Sequence, residues 1–118
     1  MTRIAAWLSV ADAAAAADFY TRALGAEVRE RLDHDGVLQV AGLAIGEAEF
    51  WVQHEPDIRV RDAPVRMIVE VDDPDRLFAR AVGAGGHEVA AIHEGHGWRI
   101  GRFADPFGHH WEIGRRVS

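Results

Sequence analysis

The chain has 118 residues, 48% of them hydrophobic and 27% charged, with a net charge of -6. That length suits one domain and leaves no room for a cofactor domain beside a substrate domain, and the apolar content excludes a disordered chain. The acidic balance argues against nucleic acid, which calls for a basic stripe, and with 13 basic residues that are all arginine and no cysteine, lysine Schiff bases, thiol nucleophiles, disulfides and zinc-thiolate sites are excluded.

In chain order, residues 4–10 read as a strand. Asp12 caps a helix predicted through Leu24, with Ala15, Phe19 and Ala23 on one face and Gly25 as a left-handed stop. Asp12 and Asp18 also break the apolar N-terminal stretch, no run is long enough to span a bilayer, and the expected location is the cytoplasm. Strands are expected near 26–32, 36–44 and 47–54, with Asp35-Gly36 as a hairpin turn. A strand over 65–71 follows, then Asp73-Pro74 opens a second helix whose buried face is Leu77, Phe78, Ala81 and Val82. Strands near 87–92, 98–104 and 109–115 complete the chain.

The two halves echo each other. Val10-Ala-Asp12 recurs as Val71-Asp-Asp73, and Gly36 recurs as Gly97, both 61 residues on. Arg22-Ala-Leu-Gly-Ala-Glu-Val28 recurs loosely as Arg80-Ala-Val-Gly-Ala followed by Glu88-Val89, with two or three residues added near Gly85-Gly86. The predicted fold is α+β: one domain over 1–118, built from tandem βαβββ modules of about 1–60 and 61–118. The helices are expected on one side of a curved, mixed sheet. So small a domain keeps much surface exposed, and self-association would cover it.

The residues that carry a family likeness are Asp18-Phe19-Tyr20 with Leu24-Gly25, Val71-Asp-Asp73, and the run from Gly97 through Asp105-Pro-Phe-Gly-His-His-Trp-Glu112. On these the chain resembles the vicinal oxygen chelate superfamily, which holds glyoxalase I, bleomycin-resistance proteins and extradiol dioxygenases. The resemblance covers nearly the whole chain. It implies that the modules form a cupped mixed sheet around a small-molecule cavity, with the helices on its outer side, and a homodimer; it leaves chemistry open because the fold serves lyases, dioxygenases, transferases and non-catalytic binders.

The resemblance also implies where a divalent metal would be held: by His, Gln or Glu from the first, fourth, fifth and eighth strands. Those positions fall here on Ala5, Trp51 (with Gln53 the nearest possible ligand), Arg66 and Glu112. Only Glu112 is retained, and one carboxylate beside a fixed cation does not hold a divalent ion. The expectation is therefore no cofactor, with a bidentate Arg66–Glu112 ion pair in place of the metal. The alternative is a metal site of unusual composition, using Glu112 and His110 with His54 or His96; His93 and His109 otherwise read as loop and turn residues.

Strand alternation predicts which side chains line the cup. Trp7 and Ser9 share a face, as do Trp51 and Gln53, Arg66, Ile68 and Glu70, and His110 and Glu112. The seventh strand offers Arg99 and Phe103, or the opposite set with Trp98. Such an aromatic cavity with few charges suits a planar, partly apolar ligand. The leading expectation is a metal-free dimeric binder that sequesters its ligand, like the antibiotic-resistance branch. The alternatives are a metal-dependent lyase, isomerase or dioxygenase, and a metal-free enzyme with Glu112 or His110 as general base.

Overall fold

Alternation along Ala6–Val10 (β1) buries Leu8 and Val10 on one face. The Asp12 carboxylate then accepts the backbone N–H of Ala15, which starts the helix Ala13–Leu24 (α1), and Gly25 ends it at φ 69°. Glu27–His34 (β2), Val37–Ile45 (β3) and Ala48–His54 (β4) follow. The computed structural model describes residues 1–61 and 64–117, and its second half repeats the order: Arg66–Glu70 (β5), Pro74–Gly83 (α2), His87–Gly95 (β6), Trp98–Ala104 (β7) and His110–Arg116 (β8). Asp73 caps α2 by accepting from Arg76 N–H, with Pro74 in the first turn. The one strand that clearly outruns its expected end is β6, because pairing of Gly95 with Trp98 carries it up to the hairpin turn.

The chain forms two compact units, Met1–Arg59 and Val60–Ser118. Each holds a four-stranded mixed sheet, in the orders β1-β4-β3-β2 and β5-β8-β7-β6. In each, the first strand runs parallel to its neighbour and the other pairs are antiparallel. The fold is therefore α+β, two βαβββ modules in tandem.

The repeat extends to register. Trp7 lies opposite Trp51 and Leu8 opposite Val52 in the first unit; the positions 61 residues later, Ile68 with Glu112 and Val69 with Ile113, pair in the second. The β2–β3 and β6–β7 hairpins each turn on two residues with positive φ: Asp35-Gly36 at 50° and 76°, and His96-Gly97 at 53° and 83°. That backbone matches the twist of the flanking strands, which is why glycine holds the second position of each turn.

Each sheet buries one face under its own helix. In the first unit Phe19, Tyr20, Leu43, Phe50 and Val52 are buried, and Tyr20 meets Phe50 edge-on at 5.5 Å. In the second, Phe103 lies between Phe78 at 6.4 Å and Trp111 at 6.4 Å. Of the predicted α2 face, Phe78 and Ala81 are buried, and Leu77 and Val82 are half-buried. Each such aromatic side chain contributes about 1.5–3 kcal/mol by leaving water.

The units differ most at the turn before the last strand. In the first, Gly46 and Glu47 join β3 to β4. In the second, the buried Asp105 carboxylate accepts N–H groups from Phe107 at 2.9 Å, His109 at 3.0 Å and the Trp111 indole at 2.9 Å. One side chain thus fixes the turn and anchors the largest core residue. Among the described residues, no helix is long and apolar enough to cross a membrane.

Candidate functional site

The face of the first sheet away from α1 is aromatic. Trp7 and Trp51 sit opposite each other on β1 and β4, and their rings stack with centroids 6.0 Å apart and planes inclined by 23°. The Trp7 indole N–H donates to Gln53 Oε1 at 2.8 Å, which fixes the orientation of the outer ring. Gly42, opposite Trp51 on β3, makes room for the inner one: a Cβ there would lie 2.8 Å from the Trp51 ring. Trp7 is 53% exposed and Leu32 is 61% exposed, so apolar surface stays in contact with solvent here. Beside the two indoles is an open groove of about 280 Å³ lined by Trp7, Glu30, Arg31, Leu32, Val40 and Trp51. Stacked indoles beside such a groove form a platform for a flat ring system.

The face of the second sheet away from α2 is charged. Arg66 Nε approaches Glu112 Oε1 to 3.1 Å, making the expected ion pair. Its closest contact runs through Nε. Across the sheet, Arg102 lies opposite Glu112, and its Nε–H donates to His110 Nδ1 at 2.9 Å. Accepting there leaves the imidazole proton on Nε2. His110 is buried at 5% exposure.

The structure places the remaining expected residues as follows. The seventh strand presents the set containing Trp98: pairing of Arg102 with Glu112 and of Phe103 with Trp111 turns Trp98, Ile100 and Arg102 to the charged face. Trp98 is half-buried, with the Arg116 guanidinium carbon 5.1 Å from its ring centre. Phe103 is instead fully buried on the helix side. Arg99 is also on that side, donating to both Asp75 carboxylate oxygens, at 2.8 and 2.6 Å, and to Glu94 at 3.2 Å. Hydrogen bonding to Arg99 holds the Asp75 carboxyl below its ordinary value, and the same contact raises the guanidinium's. Arg99 and Phe103 thus serve packing between α2 and β7. His54 Nδ1 accepts from the Ala13 N–H at the start of α1, Ser9 Oγ donates to Glu55 at 3.0 Å, and His96 is an exposed turn residue.

The donor set does not fit a divalent metal. Ala5 offers no donor, and the indole of Trp51 has no in-plane lone pair. The Gln53 oxygen receives the Trp7 proton, Arg66 is itself a cation, and Glu112 is paired with it. Among the described residues, no group of three or more His, Asp or Glu is placed to hold a metal ion.

Two residues of these faces have no place in the sequence reading: Gly42 and Arg102. The Asp105–His109 closing hydrogen bond (2.8 Å) is the signal for Arg102, since counting outward from that pair puts it opposite Glu112. Gly42 carries no signal until the indole above it is placed.

Comparison with known proteins agrees with this architecture. A family model described as a glyoxalase-like domain matches residues 5–114. An uncharacterised Mycobacterium bovis protein is 37% identical, over 93% of this chain and 80% of its own length; one from Mycobacterium tuberculosis is 37% identical, over 93% and 72%. Among solved structures, TioX from Micromonospora sp. ML1 superposes with a TM-score of 0.82 at 26% identity, covering 99% of this chain and 100% of that one. A bleomycin-binding protein complexed with bleomycin gives 0.74 at 17% identity, covering 98% and 99%. The fosfomycin resistance protein FosX from Listeria monocytogenes gives 0.78 at 15% identity, covering 98% and 93%. A duplicated βαβββ chain matched by this family model along nearly its whole length belongs to the glyoxalase-like domain family of the vicinal oxygen chelate superfamily.

Proposed function

We propose that this protein is a cytoplasmic homodimer that captures a small, planar or partly aromatic organic ligand and sequesters it without a metal. The observation that carries this reading is the stacked Trp7–Trp51 pair, locked by Gln53, seated on Gly42 and left open to a groove. Nothing in such a platform requires a nucleophile or base; binding comes from stacking and from apolar area removed from water. A fold relative supports the idea by analogy, since the bleomycin-binding protein holds bleomycin in this fold. The donor set supports the metal-free part of the reading. The dimer is supported by the exposed apolar side chains Ile4, Val65 and Ile68, which association would cover.

The test is a calorimetric screen of bleomycin and neutral bicyclic aromatics against wild type and Trp51→Ala, with metal content and sedimentation measured on the same untagged protein. Saturable binding weakened by Trp51→Ala is the expected result. Failure of every planar compound to bind would overturn the reading, and a stoichiometric bound divalent ion would overturn its metal-free part in favour of a lyase or dioxygenase. A monomer at all concentrations would remove the dimer.

A further inference from the structure

Hydrogen-bond register puts four residues in one row across the open face of the first sheet. Trp7 is opposite Trp51, Trp51 is opposite Gly42, and Gly42 is opposite Glu30 on β2, the last strand of that sheet. The neighbouring row runs Ser9, Gln53, Val40 and Leu32. The Trp51 ring leans over Gly42, where a Cβ would meet three of its carbon atoms at 2.8, 3.1 and 3.2 Å. The ring thus extends toward β2, and Glu30 begins one strand spacing, about 4.8 Å, beyond that glycine. Glu30 and both indoles line the same groove of about 280 Å³.

Glu30 is a carboxylate without a counter-ion. Among the described residues its side chain makes no hydrogen bond and no ion pair. The two arginines next to it in the strand are held by other groups. Arg31 also lines the groove, and its guanidinium donates to Asp33 at 3.1 and 3.4 Å. Arg29 lies 3.8 Å from Glu27 and donates to the Gly46 carbonyl at 3.3 Å. One negative charge is therefore left over beside two aromatic faces. The charge of the whole unit has the same sign. Met1–Arg59 holds ten acidic residues and five arginines, and so carries five of the chain's six net negative charges.

The face of an indole is the negative end of its ring quadrupole, and tryptophan attracts a cation this way more strongly than any other side chain. A carboxylate at the rim of the same surface adds direct charge attraction. For a planar amidinium or guanidinium it also adds two parallel hydrogen bonds. An anion would be repelled by both groups. The Trp7 N–H, which could otherwise meet an anion, is already donated to Gln53.

We infer that the groove of the first unit selects a planar organic cation, which lies on the Trp7–Trp51 platform with its charge against Glu30. This rests on the capture reading above for the platform. It goes beyond that reading in fixing the sign of the ligand's charge and the residue that reads it. Every residue it uses lies in the first unit.

The experiment has two arms. In the first, titration calorimetry compares 2-naphthamidine, 2-naphthamide and 2-naphthoate, which share one ring and are cationic, neutral and anionic. The amidine is expected to bind wild type at least about tenfold tighter than the amide, and the naphthoate more weakly than the amide. Glu30→Gln is expected to shrink the amidine preference to less than about twofold. Glu30→Thr, neutral and suited to a strand, should do the same, so the test survives a Gln variant that fails to fold. Equal amide and amidine affinities in wild type, or a preference that survives loss of the carboxylate, would overturn the inference. In the second arm, tetramethylammonium chloride is titrated against ¹⁵N-labelled protein while the tryptophan indole N–H resonances are followed, with sodium chloride as the control. A saturable shift at Trp7 and Trp51, absent with sodium chloride, is expected. If no naphthyl compound binds, the planar-ligand reading fails by itself and tetramethylammonium alone decides the cation site; absence of the shift then overturns it.

Discussion

The two sheets share one backbone register and carry opposite chemistry. Where the first unit places Trp7 against Trp51, the second places Ile68 against Glu112; where the first has Ala5, the second has Arg66. The helix-facing sides are apolar and buried at the centre of both, with the Arg99–Asp75 pair added at the edge of the second. Away from the turn before the last strand, the outward sides diverged furthest: indoles over a glycine in one, an Arg66–Glu112 pair beside an Arg102–His110 contact in the other. A packed face constrains its residues because volume errors cost energy, whereas an open face tolerates any side chain the solvent accepts. Duplication thus gave this chain two scaffolds of one shape and freedom to specialise each separately.

The largest difference to probe is the turn before the last strand. Asp105→Ala removes an acceptor from two buried N–H groups and one part-buried one and should destabilise the protein by about 3 kcal/mol or more. The matching change in the first unit, Glu47→Ala, removes an exposed side chain and should stay within about 0.5 kcal/mol. Urea unfolding of the two variants measures the gap, and equal losses would break the comparison. Next in size is the ligand effect: Trp51→Ala should weaken a neutral planar probe about tenfold, and Glu112→Gln should change it less than about twofold. Calorimetry with 2-naphthamide separates the two faces.

Gly42→Ala follows. The added carbon would press on the Trp51 ring, so the indole must tip out of its seat, costing about 1 kcal/mol in stability. A red-shifted tryptophan emission checks it. Smaller again is Arg66→Ala. The Arg66 side chain is 44% exposed, and screening by water keeps the loss of its ion pair to about 1 kcal/mol or less in thermal unfolding.

The smallest effect is one of pH. Asp75 ordinarily titrates at 3.8, and its hydrogen bond to Arg99 lowers that value in the folded state. The unfolded chain therefore takes up the proton first as the solution is acidified. The stability contributed by this contact is complete above the unfolded value and is lost as pH falls through the depressed folded value. Arg99→Met should lower the melting temperature slightly at neutral pH, where the contribution is complete, and leave it nearly unchanged in strong acid, so that the acid limb flattens.

How much of this was legible beforehand varies by region. Asp12, Gly25, Asp35-Gly36 and Asp73-Pro74 act through the backbone next to them, so caps and turns could be read directly from the sequence. The Arg66–Glu112 pair was legible because the repeat fixed the register of β5 and β8 together. The seventh strand was not. Its side-chain direction depends on how the Asp105 turn closes, and that closure turned Phe103 and Arg99 to the helix and Arg102 to the open face.

By itself, the sequence determined the duplicated βαβββ order, the aspartate caps that open both helices and the Asp35-Gly36 hairpin turn. All of these depend on residue identity or on neighbours a few positions away. Only the tertiary structure decided that Trp51 rests on Gly42, that Gln53 holds Trp7, and that Arg102 faces the open side beside Glu112. Those contacts join strands through hydrogen-bond register, and a shift of one residue would have turned every one of these side chains to the opposite face.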